Sequence, residues 1–316
     1  MRTGTAVVTV NGNFPAEVVG ICDAHNHVWI DVVPGAADGS PVLNYRLGIL
    51  KELCDYHDAG GDAQTDCQPG GCGRDGNRLL ELSRASGVKI IACTGFHRTR
   101  YYPDDHWLWR ASAGEIANYL ISELRYGLVE SVEEGEMVRA GFVKIACEDR
   151  LERTPQAALE AALEAVTATG AAIQVHTEKG ADAEAILRHF TDRGVPAGRI
   201  ILCHMDKRPD FGLHTELARS GALLEYDTFF RPKYDPEHNL WPLIGRMVAA
   251  GLVENVALAT DLAEAAAWKY LGQGPGLAAF PGEIRARLRR MGLKEGPIES
   301  LMGRNIARRL ARPVPD

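Results

Sequence analysis

Two histidines one residue apart, His25 and His27, stand in Asp-Ala-His-Asn-His, where an apolar run gives out. Alternate side chains of a strand share a face, so both imidazoles aim at one spot. Two neutral imidazoles meeting there can hold one divalent metal. An H-x-H pair is common by itself; it gains weight from four other residues. His176 follows Ala-Ala-Ile-Gln-Val, His204 follows Ile-Ile-Leu-Cys, and Asp261 follows Asn-Val-Ala-Leu-Ala-Thr. Each stands at the end of an apolar strand. Lys144 lies within Ala-Gly-Phe-Val-Lys-Ile-Ala, a run that would bury its ammonium. Lysine seldom goes inside unpaired, and snorkelling from a strand end is the competing reading. Asp23, on the face of the histidine pair, and Asp206, two residues after His204, read either as acceptors that orient a ligand or as strand-end aspartates bonded to backbone.

Positioning these groups requires eight strands. The candidates are 18–24, 62–67, 88–94, 141–146, 171–175, 199–203, 222–226 and 255–260, the second being poor in β-branched residues. Helical stretches separate them. Thr154 reads as an N-cap with Pro155 at the first helical position, and Gly170 closes that helix. Ser112 and Glu115 form a capping box that opens a helix through Arg125. Gly194-Val195-Pro196 and Gly251 end two more. Strands alternating with helices predict an α/β fold: a single (β/α)8 TIM barrel over 1–316, with the active site at the C-terminal ends of the strands. An open doubly wound sheet is disfavoured, because no G-x-G-x-x-G turn follows the first strand. The stretches 28–45 and 95–111 read as loops over the barrel mouth.

Composition narrows the function. The 316 residues are 46% hydrophobic and 24% charged, with a net charge of −7, which argues against a nucleic-acid or anionic-membrane partner. No segment reaches the ~18 apolar residues of a membrane span. The start, Met1-Arg2-Thr3-Gly4 and a short apolar run, does not read as a secretory signal. Cysteines number seven, and Cys22, Cys93, Cys147 and Cys203 lie in apolar runs, as reduced thiols of a cytoplasmic enzyme would. Cys67 and Cys72 are spaced wrongly for a C-x2-C metal knuckle.

The constellation of H-x-H on the first strand, lysine on the fourth, histidines on the fifth and sixth and aspartate on the eighth resembles the phosphotriesterase branch of the amidohydrolase superfamily. Ala92-Cys93-Thr94-Gly95-Phe96, Gly141-Phe142-Val143-Lys144 and Gly303-Arg304-Asn305-Ile306-Ala307 extend the likeness over nearly the whole chain. The resemblance implies two divalent metal ions, zinc in most members, held by His25, His27, Lys144, His176, His204 and Asp261. Lys144 would be N6-carboxylated and bridge the pair. A hydroxide bridging the metals would attack the substrate, with Asp261 carrying the proton.

The family hydrolyses lactones, carboxylic esters and organophosphate triesters, and the same core could run a peptidase. A barrel that only binds is the reading from another class. The loops choose among substrates. After the third strand come His97, Arg98, Tyr101 and Tyr102. After the seventh come Arg231 and Lys233, and after the eighth Trp268 and Lys269. Arg231-Pro232-Lys233-Tyr234 is similar to a sub-branch that opens phosphorylated sugar lactones, in which this lysine binds phosphate. Where that sub-branch uses arginine and tyrosine, this chain has Glu264 and Ala267. The expectation is therefore a lactonase for a polar, non-phosphorylated small molecule, with a homodimer left open.

Overall fold

The computed structural model describes residues 4–314; the first three residues of the chain start read above lie outside that span. Strands β1 (Gly4–Thr9), β2 (Gly12–Phe14) and β11 (Arg312–Val314) form a small antiparallel sheet in the order β11-β1-β2. Eight parallel strands make the main sheet: β3 (Ile21–Asn26), β4 (Gly61–Asp66), β5 (Lys89–Gly95), β6 (Phe142–Ala146), β7 (Ile173–His176), β8 (Ile200–Cys203), β9 (Leu223–Tyr226) and β10 (Val256–Leu258). Each is hydrogen-bonded to its neighbour in sequence. Helices α1 (Arg46–Asp58), α2 (Gly76–Ser86), α3 (Ala113–Arg125), the short α4 (Val129–Glu133), α5 (Gln156–Thr169), α6 (Ala183–Thr191), α7 (Phe211–Arg219) and α8 (Leu240–Ala249) run between strands. This is the TIM barrel that the alternation predicted. Among the described residues no helix is long and apolar enough to cross a membrane.

Alternation decides what enters the barrel. In β6, Val143 and Ile145 pack outward into the helix layer, while Phe142 joins Cys22, Ile91, Ile201 and Leu223 in the inner core. Lys144, two residues on from Phe142, is therefore inside and fully buried. In β9, Leu224 and Tyr226 face the helices, which leaves Leu223 and Glu225 inward. Val7 of β1 and Leu310 join the inner core, so the small sheet packs against the barrel's interior apolar cluster.

The barrel closes between β3 and β10 without a regular ladder. The Asp261 N–H donates to the His25 carbonyl at 2.9 Å. The Asp23 carboxylate accepts from the Thr260 N–H at 3.1 Å and the Thr260 hydroxyl at 2.5 Å, and Asn26 accepts from the Leu262 N–H at 3.2 Å. These side-chain bonds explain why β10 ends at Leu258, short of the expected 260. Asp23 also accepts from the His25 N–H, so it bonds to backbone, as one of its two readings held.

Local signals mostly act as the sequence indicates. Ser112 and Glu115 form both bonds of the capping box, and Gly170 ends α5 in the left-handed region. Thr154 differs: α5 starts at Gln156, and the Thr154 hydroxyl accepts instead from the Glu148 N–H. That bond ties the loop after β6 to the helix entrance. Gly95 is obligatory, because a Cβ there would lie 1.7 Å from the Lys144 carbonyl oxygen.

Tyr226 anchors β9 from outside through α7. Its hydroxyl lies 2.6 Å from His214 Nδ1, and His214 Nε2 lies 2.9 Å from the Arg208 carbonyl. The carbonyl requires Nε2–H, so the hydroxyl donates to Nδ1 and the neutral ring is satisfied. Burial lowers the His214 pKa to about 4. An unfolded histidine titrates near 6.5, so between these values the unfolded chain binds the extra proton. This contribution is complete above pH ~6.5 and fades as pH falls towards ~4, by about 2–3 kcal/mol. In urea melts, His214→Gln is expected to flatten that fall; an unchanged slope removes His214 from the acid transition.

Candidate metal centre

Six polar groups converge at the C-terminal mouth of the barrel. His25 and His27 leave the end of β3, Lys144 rises from β6, His176 ends β7, and His204 and Asp261 follow β8 and β10. The Asp261 carboxylate lies 3.8 Å from His25 Nε2 and 3.6 Å from His27 Nε2. Those separations approach the ~3.3 Å edge of a tetrahedron whose ligands lie about 2 Å from a shared ion. His176 Nδ1 and His204 Nε2 face each other at 2.9 Å. Lys144 Nζ stands beside the group, 3.3 Å from His25 Nε2. His204 and Asp261 both adopt left-handed backbone conformations, with φ of 61° and 49°. Non-glycine residues seldom do so, and here the turn redirects each side chain from the strand axis towards the centre.

A neutral imidazole can coordinate through one nitrogen only if the other carries the proton. Glu225, on β9, accepts from His25 Nδ1 at 2.6 Å, and Asp227, just beyond β9, accepts from His204 Nδ1 at 2.5 Å. Gln68, after β4, lies 2.7 Å from His27 Nδ1. The Nε2 atoms of all three rings thereby carry the lone pair, which a metal could take up in place of the contacts with Lys144 and His176. Glu225 and Asp227 also form a compact group with His25 and His204 that could be taken for a metal site of its own. Contacts of 2.5–2.6 Å leave no room for an ion with bonds of ~2 Å on either side, so these two carboxylates are orienting acceptors. Burial lowers the His25, His176 and His204 pKa values, which keeps them neutral and able to coordinate.

Glu225, Asp227 and Gln68 were not picked out from the sequence. The available signal was Glu-Tyr-Asp over 225–227, whose two acids share a face as His25 and His27 do. Burial pushes the Glu225 carboxyl well above its usual range. Both of its oxygens nevertheless accept, from His25 and, at 2.5 Å, from Gln174, which favours the anion. Asp206 accepts from the Asp227 and Thr228 N–H groups and the Thr228 hydroxyl. It holds the backbone just past β9 that carries Asp227.

Lys144 is poorly matched as an ammonium. Among the described residues its nitrogen finds hydrogen-bond partners in His25 Nε2 and, at 3.4 Å, Cys203 Sγ. Burial opposes its charge, and the net upward shift of its pKa comes first from the Cys203 and Cys67 sulfurs taken as thiolates, ahead of Glu225. Both thiols are themselves pushed well above their ordinary range by burial. They are neutral at pH 7 and offer little support.

A cavity of about 630 Å³ opens above the centre, lined by His97, Tyr101, Arg231, Glu264 and residues 36–42 of the first long loop. Arg98 N–H donates to His97 Nδ1 at 2.7 Å, so His97 carries its proton on Nε2. Tyr101 stacks edge-on against that ring. Arg231 donates to the Asp261 carboxylate at 2.8 Å.

The other loop candidates lie elsewhere. Tyr102 is buried beneath the loop; its hydroxyl accepts from the His97 N–H and lies 3.3 Å from the Gly70 carbonyl. Trp268 is wholly buried, because its indole N–H finds a partner in the Leu262 carbonyl at 2.7 Å. Lys269 is outside, paired with Asp55 of α1 at 3.0 Å. Lys233 lines a side cavity of about 400 Å³ that shares Arg231, Asp261 and Glu264 with the main one.

Fold and site define a (β/α)8 barrel with a buried histidine–carboxylate cluster able to hold metal at the mouth. Residues 5–310 match the phosphotriesterase family, and the chain belongs to it. It is 28% identical to a phospho-furanose lactonase of Mycoplasmopsis synoviae over 96% of this chain and 91% of that protein. With a phospho-furanose lactonase of Mycoplasmopsis agalactiae it shares 31% identity over 73% and 69%. The crystal structure of an amidohydrolase from Mycoplasma synoviae superposes with a TM-score of 0.89 at 26% identity, covering 100% of this chain and 94% of that one.

Asp227→Ala and Glu225→Ala are expected to weaken metal binding about 10- to 100-fold, as loss of an orienting acceptor does. Chelator competition measures this, and unchanged affinity in both variants would show that the imidazoles need no such support.

Proposed function

We propose that the protein is a binuclear metal-dependent lactonase whose substrate carries no phosphate. The observation that supports it best is the convergence of four imidazoles, Asp261 and Lys144, with three of the imidazoles held so that Nε2 faces the centre. Two divalent metal ions, zinc in this reading, would be held by His25, His27, His176, His204 and Asp261, with Lys144 carboxylated at Nζ between them, and would supply Lewis acidity and a lowered water pKa. Carboxylation joins CO2 to Nζ with loss of two protons from the ammonium, turning a poorly matched cation into an anion.

The chain's own groups do the rest. Asp261 takes the proton of the attacking water and returns it to the ring oxygen that leaves. Arg231, bonded to Asp261, keeps that carboxylate aimed at the cavity. His97 Nε2–H is a donor available to a lactone oxygen, and Tyr101 holds the ring in place. The first long loop walls the cavity and limits access of bulk water.

Glu264, which lines both cavities, and Ala267, which leaves the side cavity without a phenol, disfavour a phosphate. A carboxylate at that wall repels a phosphate dianion. Similarity to phospho-furanose lactonases, with Lys233 in the side cavity, favours a phosphorylated sugar lactone as the second reading.

Matched lactones with and without a 5-phosphate test the proposal: the plain lactone should have the higher kcat/KM. The reverse order would establish the second reading, and turnover of only simple esters or dipeptides would overturn lactonase activity while leaving the metal site. Asp261→Asn should lower kcat by ~100- to 10,000-fold with metal retained; near-normal turnover would remove Asp261 from proton transfer. Intact-mass analysis of gently prepared protein should show the carboxyl group on Lys144. An active, metal-loaded enzyme with free lysine would exclude it.

A further inference from the structure

We infer that Gln68 is a positioning residue for His27, and that the direction of its amide, set by Cys72, decides which nitrogen of His27 is free to coordinate. The inference rests on the metal-binding reading above. A glutamine amide has one end that only accepts and one that only donates, and the two are told apart by their partners. Here Nε2 donates to the Cys72 carbonyl, which can only accept. The same Nε2 lies 3.2 Å from Cys72 Sγ, whose own hydrogen is spent on the Pro69 carbonyl at 3.1 Å. Oε1 must therefore face His27, so Nδ1 of His27 is the donor across 2.7 Å. The lone pair of His27 is then on Nε2, 3.6 Å from Asp261.

The loop that does this is Cys67-Gln68-Pro69-Gly70-Gly71-Cys72, set aside earlier because its cysteines are spaced wrongly for a metal knuckle. Cys72 acts on the centre through Gln68 instead. Burial raises its thiol to about 12, which keeps the hydrogen on sulfur and the contact pattern intact. His27 is also set apart from His25 and His204, because its acceptor is a neutral amide where theirs are carboxylates. Among the three braced imidazoles it is the one whose orientation rests on an uncharged group.

The test uses full-length protein and zinc. In chelator competition, Gln68→Leu should lose about 10- to 100-fold in affinity for one zinc equivalent, with the thermal midpoint of the metal-free protein little changed. Nitrogen-15 spectra of histidine-labelled, metal-free protein should show His27 as the Nδ1–H tautomer, and a mixture in Gln68→Leu. Gln68→Glu keeps an acceptor towards His27 while losing the bond to Cys72, so it should hold zinc within about threefold of the parent. The inference is overturned by unchanged affinity and tautomer in Gln68→Leu. It is equally overturned by a Gln68→Glu protein as weak as Gln68→Leu, since the loop contact would then be what matters. If the parent binds no zinc, the metal reading falls, and the tautomer comparison still decides the role of Gln68.

Discussion

An imidazole buried in a barrel can serve as a ligand only when its second nitrogen has somewhere to place its proton. Most of the polar interior follows from that requirement. Glu225, Asp227 and Gln68 are where they are because His25, His204 and His27 each need an acceptor at Nδ1. Those acceptors need holding in turn. Gln174 holds Glu225, Asp206 supports the backbone of Asp227 and Thr228, and Cys72 fixes Gln68. An apolar filling would pack the barrel more cheaply, yet it could not keep three rings in one tautomer. The price is a set of carboxylates whose burial raises their pKa values.

The candidate ligands were legible in the sequence and their supports were not. His176, His204 and Asp261 each interrupt an apolar run where a strand must end, so local pattern alone marks them. The (β/α)8 arrangement was legible for the same reason, through strand runs and helix caps that repeat along the chain. Glu225 is 200 positions from His25, and nothing local links the two until the barrel brings β9 beneath β3. Gln68 lay in a loop read only for its cysteines. The pattern Glu-x-Asp over 225–227 carried the needed information, but one acid lies inside the strand and the other just past it, where polar residues are commonplace.

The loops separate nearness in sequence from nearness to the cavity. Trp268 and Lys269 follow the strand that ends near Asp261, and proximity in sequence suggested proximity to substrate. Direction, however, is decided by what each side chain needs. The indole seeks a dry pocket with one acceptor, and the lysine seeks an acid on a neighbouring helix. Tyr102 behaves like Trp268, while Tyr101, one residue earlier, remains at the cavity. Arg231 was legible as a loop cation, but its partner proves to be Asp261, so part of its charge is committed before a substrate arrives.

The closure between β3 and β10 has a consequence for the tolerance of the whole centre. In the other seven pairings strand spacing is set by backbone ladders, with register shifts between β3 and β4. At this one joint the spacing is set by the reach of Asp23 and Asn26 to Thr260 and Leu262, with a single backbone bond from Asp261 to His25. His25 and Asp261 stand on opposite banks of the joint. The gap between two candidate ligands is thus a dimension tuned by side-chain length, adjustable by substitution while the remaining seven strand pairings of the barrel stay as they are.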